Sequence, residues 1–396
     1  MNTLLEKSDR LVNIIDTSFK RYLHNEINWN NRLIGIKGAR GTGKTTLILQ
    51  RLYEIGRSSS EAVYLALDDL YFSSHSFMDT ADIFYKKGGK YLFLDEVHKF
   101  PGWSQAIKNL YDFYPDLHIV FTGSSIIDIA KEEADLSRRV LMHELFGLSY
   151  REFLEFKNGI KLPVISLQEI LGATDIRKML TPEIKPLKHF EEYLSFGYYP
   201  FFKDDPPWYH QRLQQLIRII VEYDMAELRD FDIRNAKKML QLLSILAENV
   251  PFKPNLSKLA EKSNIHRNSM NSYLNYLEQA RLINMLYPSG ISTTILQKPE
   301  KVYLNNSNLA SAISINQPDK GNLRETFFLS QLKVSHTIQY PAKGDFMVDG
   351  SHTFEIGGKN KTRQQIKEFD SGFIVKDDLE FPAGDAMPLW LFGFLY

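Results

Sequence analysis

A glycine-rich stretch near the N-terminus has the residue types and spacing of a phosphate-binding loop. GARGTGKT, residues 38–45, matches the pattern G-x-x-x-x-G-K-[ST]; it follows the apolar run RLIGIK and opens the helical pattern KTTLILQRLYEI. Glycines let successive backbone N–H groups curl around phosphates without Cβ clashes, and a helix N-terminus adds a favourable dipole. The stretch predicts a nucleotide site, with Lys44 on the β- and γ-phosphates and the Thr45 hydroxyl on Mg²⁺.

An acidic pair ends an apolar run downstream of this loop. KYLFLDE, residues 90–96, predicts a buried strand that brings Asp95 to the C-terminal edge of a sheet, where it holds the hydration shell of Mg²⁺. Glu96 is predicted to be the general base that polarises the attacking water, and a solvated acid at a strand end is the alternative. ATP and Mg²⁺ are therefore the expected cofactors. The residues expected to surround the nucleotide are Gly38, Ala39, Arg40, Gly41, Thr42, Gly43, Lys44, Thr45 and Thr46.

A third polar position follows the apolar run LHIVFTGSS, residues 117–125. A polar side chain on a strand beside the Asp95 strand can sense the γ-phosphate, and Ser124 is predicted to do so. The alternative is that Ser124 caps a helix over SSIIDIA.

The elements around these residues alternate between strand and helix. An amphipathic helix is predicted over residues 4–24, and the region from residue 32 to 157 predicts a parallel sheet covered by helices on both faces. This is an α/β fold of the P-loop type. The predicted strands are residues 32–38, 62–68, 90–96, 117–123 and 139–145.

The rest of the chain divides by composition and pattern. Residues 158–232 combine a proline-containing linker with a long amphipathic helix at 208–228, and residues 233–292 give three helical patterns and then a strand, which is the order of a winged helix. Residues 293–396 mix strand and helix. With residues 1–31 as an N-terminal helix, the predicted domains are 1–31, 32–157, 158–232, 233–292 and 293–396.

Composition limits the classes of protein and partner. The 396 residues are 43% hydrophobic and 24% charged, which is ordinary for a globular protein. Lys+Arg and Asp+Glu are both 48, so no global basic field attracts nucleic acid, and the absence of cysteine excludes disulfides and thiolate metal sites. No run reaches the ~18–20 apolar residues that a membrane span needs. We expect a cytoplasmic protein without a membrane partner.

Several longer motifs resemble a prokaryotic family of AAA-type ATPases, whose members join a P-loop core to a winged helix and a C-terminal restriction-endonuclease-like domain. The most specific are DEVHKFPGW and the closing LSRRVLMHELFGLSYREFLEF after FTGSS. Later segments also match: FEEYLSFGYYPFF (190–202), KVYLNNSNLASAI (301–313) and RETFFLSQL (324–332). The resemblance extends over nearly the whole chain.

The resemblance implies a sheet with an extra strand between the two nucleotide-binding strands, and a catalytic glutamate on the second of these strands. It also implies that Arg139 stands where relatives carry an arginine that can act on a neighbour's γ-phosphate. Arg138 is adjacent, and a solvated rim is the alternative for both. An arginine that acts in trans requires a homo-oligomer.

Helix–turn–helix rhythm in NLSKLAEKSNIHRNSMNSYLNYLEQARLI predicts a recognition helix. Its outward positions are expected to be Arg267, Asn268, Asn271, Ser272 and Asn275, and amides of this kind can read adenine edges. Basic residues for phosphate contacts are few: Lys253, Lys258, Lys262, Arg267 and Arg281. An unknown protein partner or a lid role is predicted for this segment, and DNA is the alternative partner.

The C-terminal segment carries the acids of a nuclease in the right order, because Glu325, Asp345 and Glu355 follow one another as the resemblance requires. The lysine expected two residues after the last acid is replaced by Gly357, and Lys359 lies two residues further on. We expect Gly357 and Gly358 to turn the chain, no metal at Asp345 and Glu355, and no nuclease activity. The sequence as a whole predicts an ATP-binding and ATP-hydrolysing switch; the alternative is a DNA-binding or DNA-processing protein with ATP as a ligand only.

Overall fold

The structure, a computed structural model, describes residues 1–56, 58–123, 136, 138–172, 185–225, 231–248, 256–289, 298–314, 318–365 and 371–396. The chain forms two compact units, residues 1–147 and 148–396. The first unit ends before the predicted boundary at 157, so the helix that begins at Tyr150 belongs to the second unit. The predicted divisions at 232 and 292 stay predictions.

Five parallel strands form the sheet of the first unit, in the order β2-β3-β4-β1-β5. The strands are β1 Leu33–Lys37, β2 Ala62–Ala66, β3 Tyr91–Asp95, β4 His118–Gly123 and β5 Leu141–Glu144. All five predicted strands and their parallel arrangement are confirmed. The expected extra strand is also present, because β4 lies between β1, which precedes the loop, and β3, which ends at Asp95.

Helices cover this sheet and carry its connections. They are α1 Asn2–Ile14, α2 Tyr22–Glu26, α3 Lys44–Ile55, α4 Phe77–Lys86 and α5 Trp103–Phe113. The single helix predicted over residues 4–24 is two helices. The first ends because Ile15 is extended and the Asp16 carboxylate accepts a hydrogen bond from the Ser18 N–H at 2.8 Å, which turns the chain.

Three histidines make the stability of the first unit depend on pH. Burial lowers the pKa of His24, His118 and His143 below the ordinary value of 6.5. Below that value the unfolded chain binds more protons than the folded unit, so folding stability falls as pH decreases through 6.5. We expect the melting temperature to drop between pH 7.5 and pH 5.5 by several degrees, and His143→Gln to flatten the profile. A melting temperature that does not change over this range contradicts the prediction.

The described residues of the second unit form helices and two sheets. Its described helices are α6 Tyr150–Asn158, α7 Leu167–Leu171, α8 Pro186–Phe196, α9 Tyr209–Ile219, α10 Ala236–Glu248, α11 Leu256–Ser263, α12 Arg267–Gln279, α13 Ser307–Ile313 and α14 Lys320–Leu332. The long helix predicted at 208–228 corresponds to α9, which continues as a π-helix over Ile220–Asp224. None of the helices in the described ranges combines the length and apolarity that a membrane span requires.

Strands β6 Ile283–Leu286 and β7 Lys301–Leu304 form an antiparallel pair. A mixed sheet has the order β12-β11-β10-β9-β8. Its strands are β8 Ile338–Gln339, β9 Phe346–Val348, β10 His352–Gly357, β11 Gly372–Lys376 and β12 Ala386–Pro388. Helix α14 packs on this sheet through Phe328, whose ring lies 5.1 Å from Phe354 and 4.8 Å from Phe392.

The side chain of Asn308 is a hydrogen-bond centre in the interior of the second unit. Its Oδ1 accepts from the Tyr198 N–H at 2.7 Å and from the Tyr209 hydroxyl at 2.6 Å. Its Nδ2 donates to the carbonyls of Tyr193 and Leu194, both at 2.9 Å. Asn308 is fully buried, so all four groups rely on it in place of water.

Helix α12 presents the faces that its periodicity predicts. Met270, Leu274 and Leu277 are buried. The residues predicted to face outward are all exposed: Arg267, Asn268, Asn271, Ser272 and Asn275. Helices α10, α11 and α12 followed by β6 and β7 keep the predicted order, and their assignment as a winged helix stays a prediction. Lys253, one of the predicted phosphate contacts, lies outside the described residues.

Candidate nucleotide site

The loop between β1 and α3 has the backbone that its glycines predict. Gly41 and Gly43 have φ values of 82° and 94°, in the left-handed region that side chains disfavour. Gly38 cannot be replaced by a larger residue for a different reason, because a Cβ at this position would lie only 2.3 Å from the Leu145 carbonyl oxygen. The loop is thus closely packed against the end of β5, and α3 begins directly after it at Lys44.

Lys44 is held inside this loop. Its ammonium donates to the carbonyls of Gly38 and Ala39, both at 3.0 Å, and the residue is only 5% exposed. The Thr42 hydroxyl donates to the same Ala39 carbonyl at 2.9 Å. The positive charge therefore lies at the mouth of the loop, where phosphate oxygens can replace the carbonyl oxygens as its partners.

Arg21 is a buried residue that the sequence analysis missed. Its guanidinium donates to the Thr42 carbonyl at 2.5 Å and to the carbonyls of Phe146 and Gly147 at 2.8 and 2.9 Å. A lone arginine before a loop carries no motif, so its role is visible only in three dimensions. Arg21 joins the back of the phosphate loop to the last residues of the first unit.

Asp95 collects hydroxyl donors from three elements. Its Oδ2 accepts from the Thr45 hydroxyl at 2.6 Å and from the Tyr64 hydroxyl at 2.8 Å, and its Oδ1 accepts from the Thr122 hydroxyl. Burial and the Asp95 charge raise the pKa of Tyr64, so its hydroxyl stays protonated and remains a donor. The predicted magnesium pair, Thr45 and Asp95, is therefore brought together.

Glu96 has a strained backbone and a buried neighbour. Its φ of 52° is unusual for a residue with a side chain, and such conformations concentrate at functional sites. Its Oε2 lies 3.3 Å from Nε2 of His98, whose side chain is fully buried. His98 belongs to the motif DEVHKFPGW, but its contact with Glu96 was not predicted. This contact fixes where the Glu96 carboxylate points.

Asp68 adds a carboxylate to this edge of the sheet. It follows β2 and is exposed. Although the residue as a whole is exposed, its carboxyl is partly buried, and this partial burial, then the charges of Glu96 and Asp95, raise the pKa of Asp68. An acid after an apolar strand is the same signal that identified Asp95, so the run AVYLALDD could have revealed it.

Two further predicted residues are Ser124 and Arg139. Ser124, the predicted γ-phosphate sensor, is outside the described residues. Strand β4, which ends directly before Ser124, places the Thr122 hydroxyl on Asp95. Arg139 is bidentate to Asp112 on α5, at 2.8 and 3.0 Å, and this pairing lowers the pKa of Asp112.

Comparison with known families agrees with the geometry of the first unit. A family described as "AAA domain" matches residues 30–154. This part of the chain is an AAA-type P-loop domain. A second family, described only as a domain of unknown function (DUF8612), matches residues 187–320 in the second unit. An uncharacterized protein of Methanocaldococcus jannaschii is 25% identical over 421 residues, which cover 96% of this chain and 88% of that protein.

Solved structures resemble this chain only distantly. AMPPCP-bound DnaA from Aquifex aeolicus has a TM-score of 0.29 at 13% identity, over 67% of this chain and 93% of that chain. C. elegans PCH-2 has a TM-score of 0.26 at 14% identity, over 70% of this chain and 67% of that chain. Neither resemblance is close enough to carry an inference about activity.

Proposed function

We propose that this chain binds and hydrolyses ATP with Mg²⁺ and that its nucleotide state acts as a switch on a partner. The observation that carries the proposal is the 2.6 Å hydrogen bond between Thr45 and Asp95 beside the Lys44 loop. A hydroxyl and a carboxylate in contact match the few oxygen ligands that a nucleotide-bound Mg²⁺ takes from a protein. The bound metal would neutralise charge on the β- and γ-phosphates.

The site residues of the AAA domain have separate functions in this proposal. The N–H groups of the loop bind phosphate oxygens, and the Lys44 ammonium exchanges two loop carbonyls for the β- and γ-phosphates. Glu96 accepts the proton of the attacking water, while His98 holds its carboxylate in place. Thr122 on β4 fixes Asp95, and Ser124, which follows this strand in the chain, senses the γ-phosphate.

Arg139 is assigned to the nucleotide of a neighbouring copy, which makes a homo-oligomer part of the proposal. Its bidentate contact with Asp112 keeps the guanidinium extended and ordered. For action in trans this pair must open, so assembly and release of Arg139 are coupled.

The partner surface that we propose is the exposed face of α12. This face offers three asparagine amides and Arg267, which suits the edges of bases more than the phosphate backbone. DNA is therefore the first partner to test. A protein partner on the same face is the alternative.

Phosphate release tests the proposal directly. Wild type should release phosphate from MgATP at a rate at least about 100-fold above that of Lys44→Ala, because the variant loses the charge on the transferred phosphoryl group. The assay is run with and without duplex DNA, and Arg267→Ala should remove any stimulation by DNA. Wild type that releases no more phosphate than Lys44→Ala under both conditions contradicts hydrolysis. If wild type still binds labelled ATP with Mg²⁺ in that case, the chain is a binding switch without turnover.

A further inference from the structure

Three carboxylates of the second unit meet the ammonium groups of two lysines. Glu325 lies on α14, Asp345 precedes β9, and Glu355 is a fully buried residue of β10. They are the acids that the sequence analysis compared with a nuclease. The lysines are Lys301, from β7, and Lys361, from the turn after β10.

Lys301 lies between the first two acids. Its ammonium is 3.0 Å from Oε2 of Glu325 and 3.4 Å from Oδ1 of Asp345, and the residue is 5% exposed. Burial alone would lower the pKa of Lys301, but attraction to Glu325 and Asp345 raises it above its ordinary value. The ammonium is therefore charged at neutral pH and occupies the place of a bound cation.

Two further hydrogen bonds hold Asp345 and Glu325. Oδ2 of Asp345 accepts from the Ile356 N–H at 2.9 Å, and the Glu325 oxygen that binds Lys301 also accepts from the Tyr303 hydroxyl at 2.6 Å. Among the described residues, no group of three or more aspartate, glutamate or histidine side chains is arranged to hold a metal ion. The acids of this cluster thus do not fit a divalent metal.

Gly357 makes room for the second lysine. A Cβ at Gly357 would lie 2.6 Å from both Cβ and Cγ of Lys361 and 2.7 Å from its Cδ. The stem of Lys361 therefore passes through the space that a side chain at position 357 would fill, and its ammonium contacts Glu355. Lys359, the lysine nearest to the expected position in the sequence, is exposed, and its carbonyl accepts a hydrogen bond from Lys376 at 3.0 Å. The prediction that the chain turns at Gly357 is wrong, because β10 includes Gly357. The chain turns between Gly358 and Lys361.

We propose that Glu325, Asp345 and Glu355 form a cation site whose permanent cations are Lys301 and Lys361, and that removing the Lys301 ammonium creates a site for a divalent metal. Two ammonium groups against three carboxylates leave one net negative charge, which is too little to attract a dication into a buried cluster. The loss of the ammonium leaves Glu325 and Asp345 facing each other across a vacant cation position. Hard carboxylate oxygens of this kind suit Mn²⁺ and Mg²⁺.

Lys301 and Tyr303 lie on β7. This strand pairs with β6, which is the first strand after the candidate recognition helix α12. Both reach Glu325 on α14. A strand at the start of the C-terminal segment, paired with β6 of the preceding segment, therefore supplies the cation that neutralises Glu325 and Asp345. A metal-dependent reaction at these acids would require β7 to withdraw.

Binding of Mn²⁺ without nucleotide, measured from the electron paramagnetic resonance signal of free Mn²⁺, tests the proposal. Lys301→Ala should bind one more Mn²⁺ per chain than wild type does. Its affinity for this additional ion should be at least about tenfold higher than that of any wild-type Mn²⁺ site that Asp345→Asn removes. The double variant Lys301→Ala/Asp345→Asn should lose it. Lys333→Ala removes another lysine of the second unit and Lys301→Arg keeps the charge, and neither should gain a site. A folded Lys301→Ala that gains no Mn²⁺ overturns the proposal.

The wild-type protein decides the matter if Lys301→Ala does not fold. Its melting temperature without nucleotide should be the same in EDTA and in Mn²⁺, since the acids already hold their cations. A rise in Mn²⁺ that disappears in Asp345→Asn would overturn the proposal. Equal melting temperatures in EDTA and Mn²⁺ support it.

Discussion

Substitution of Glu96 by glutamine is expected to lower steady-state phosphate release by at least about 100-fold while ATP binding stays within about twofold of wild type. Glutamine keeps the size of the side chain and can still contact His98 at the position of Oε2, which lies 3.3 Å away. It cannot accept a proton from water. The loss should therefore fall on turnover, measured by phosphate release, and not on affinity, measured with a fluorescent ATP analogue.

Asp68→Asn is the matched control for this experiment. Asp68 is a second carboxylate at the same edge of the sheet, and its pKa is raised by burial and then by the Glu96 charge. If Glu96 is the base, Asp68→Asn should change turnover by no more than a few-fold. A 100-fold loss in Asp68→Asn together with a normal rate in Glu96→Gln would transfer the role of base to Asp68.

Substitution of Asn308 by alanine is expected to lower the free energy of unfolding of the second unit by about 3–5 kcal/mol. The Tyr198 N–H and the Tyr209 hydroxyl would lose their acceptor inside the protein, where no water replaces it. Each buried donor left without a partner costs about 1–3 kcal/mol, and a cavity adds to the loss.

Hydrogen exchange resolved by peptide separates this effect from the rest of the chain. Peptides from residues 186–219 should lose protection in Asn308→Ala, while those from the AAA domain and the binding of labelled ATP should not change. Asn275→Ala removes an exposed asparagine and should alter stability by less than about 0.5 kcal/mol. Protection in Asn308→Ala that equals that of wild type would contradict the assigned role of Asn308.

The AAA domain could be predicted from sequence because its signals are local. Buried parallel strands give continuous apolar runs, so the strands and their parallel pairing follow from pattern alone. Polar residues at the ends of these runs meet at one edge of the sheet, which is why Thr45 and Asp95 come together as predicted. Thr122 was missed because only the register of β4 against β3, with Phe121 opposite Leu94, determines which hydroxyl lies beside Asp95.

The second unit was harder to predict because its key contacts join residues far apart in sequence. Asn305, Asn306, Ser307 and Asn308 form a polar run that suggests a surface loop, yet all four are buried. Nothing local indicates that tyrosines roughly a hundred residues earlier supply their partners. Lys301 was missed for the same reason, since the acids that it neutralises lie 24 and 44 residues further along the chain.

Lys361 could not be identified from the alternation of side chains along a strand. Alternation of side chains relates Lys359 to Glu355 only while the strand continues. β10 ends at Gly357, and the turn brings forward a lysine that no fixed spacing identifies. The close approach of the Lys361 side chain to Gly357 is a tertiary contact, so only the three-dimensional structure reveals it.

The two units differ in when their folding can be completed during synthesis. The Ser149 hydroxyl and the Arg151 guanidinium both donate to the Tyr396 carbonyl, at 2.8 and 2.9 Å. The first turn of the second unit therefore cannot form all its hydrogen bonds until residues 389–396 have been synthesised. The paired strands of the first unit, by contrast, all lie within residues 33–144. A ribosome that translates this chain therefore has a foldable AAA domain outside its exit tunnel while the second unit is still incomplete. Its apolar surfaces therefore stay exposed for longer during synthesis than those of the first unit.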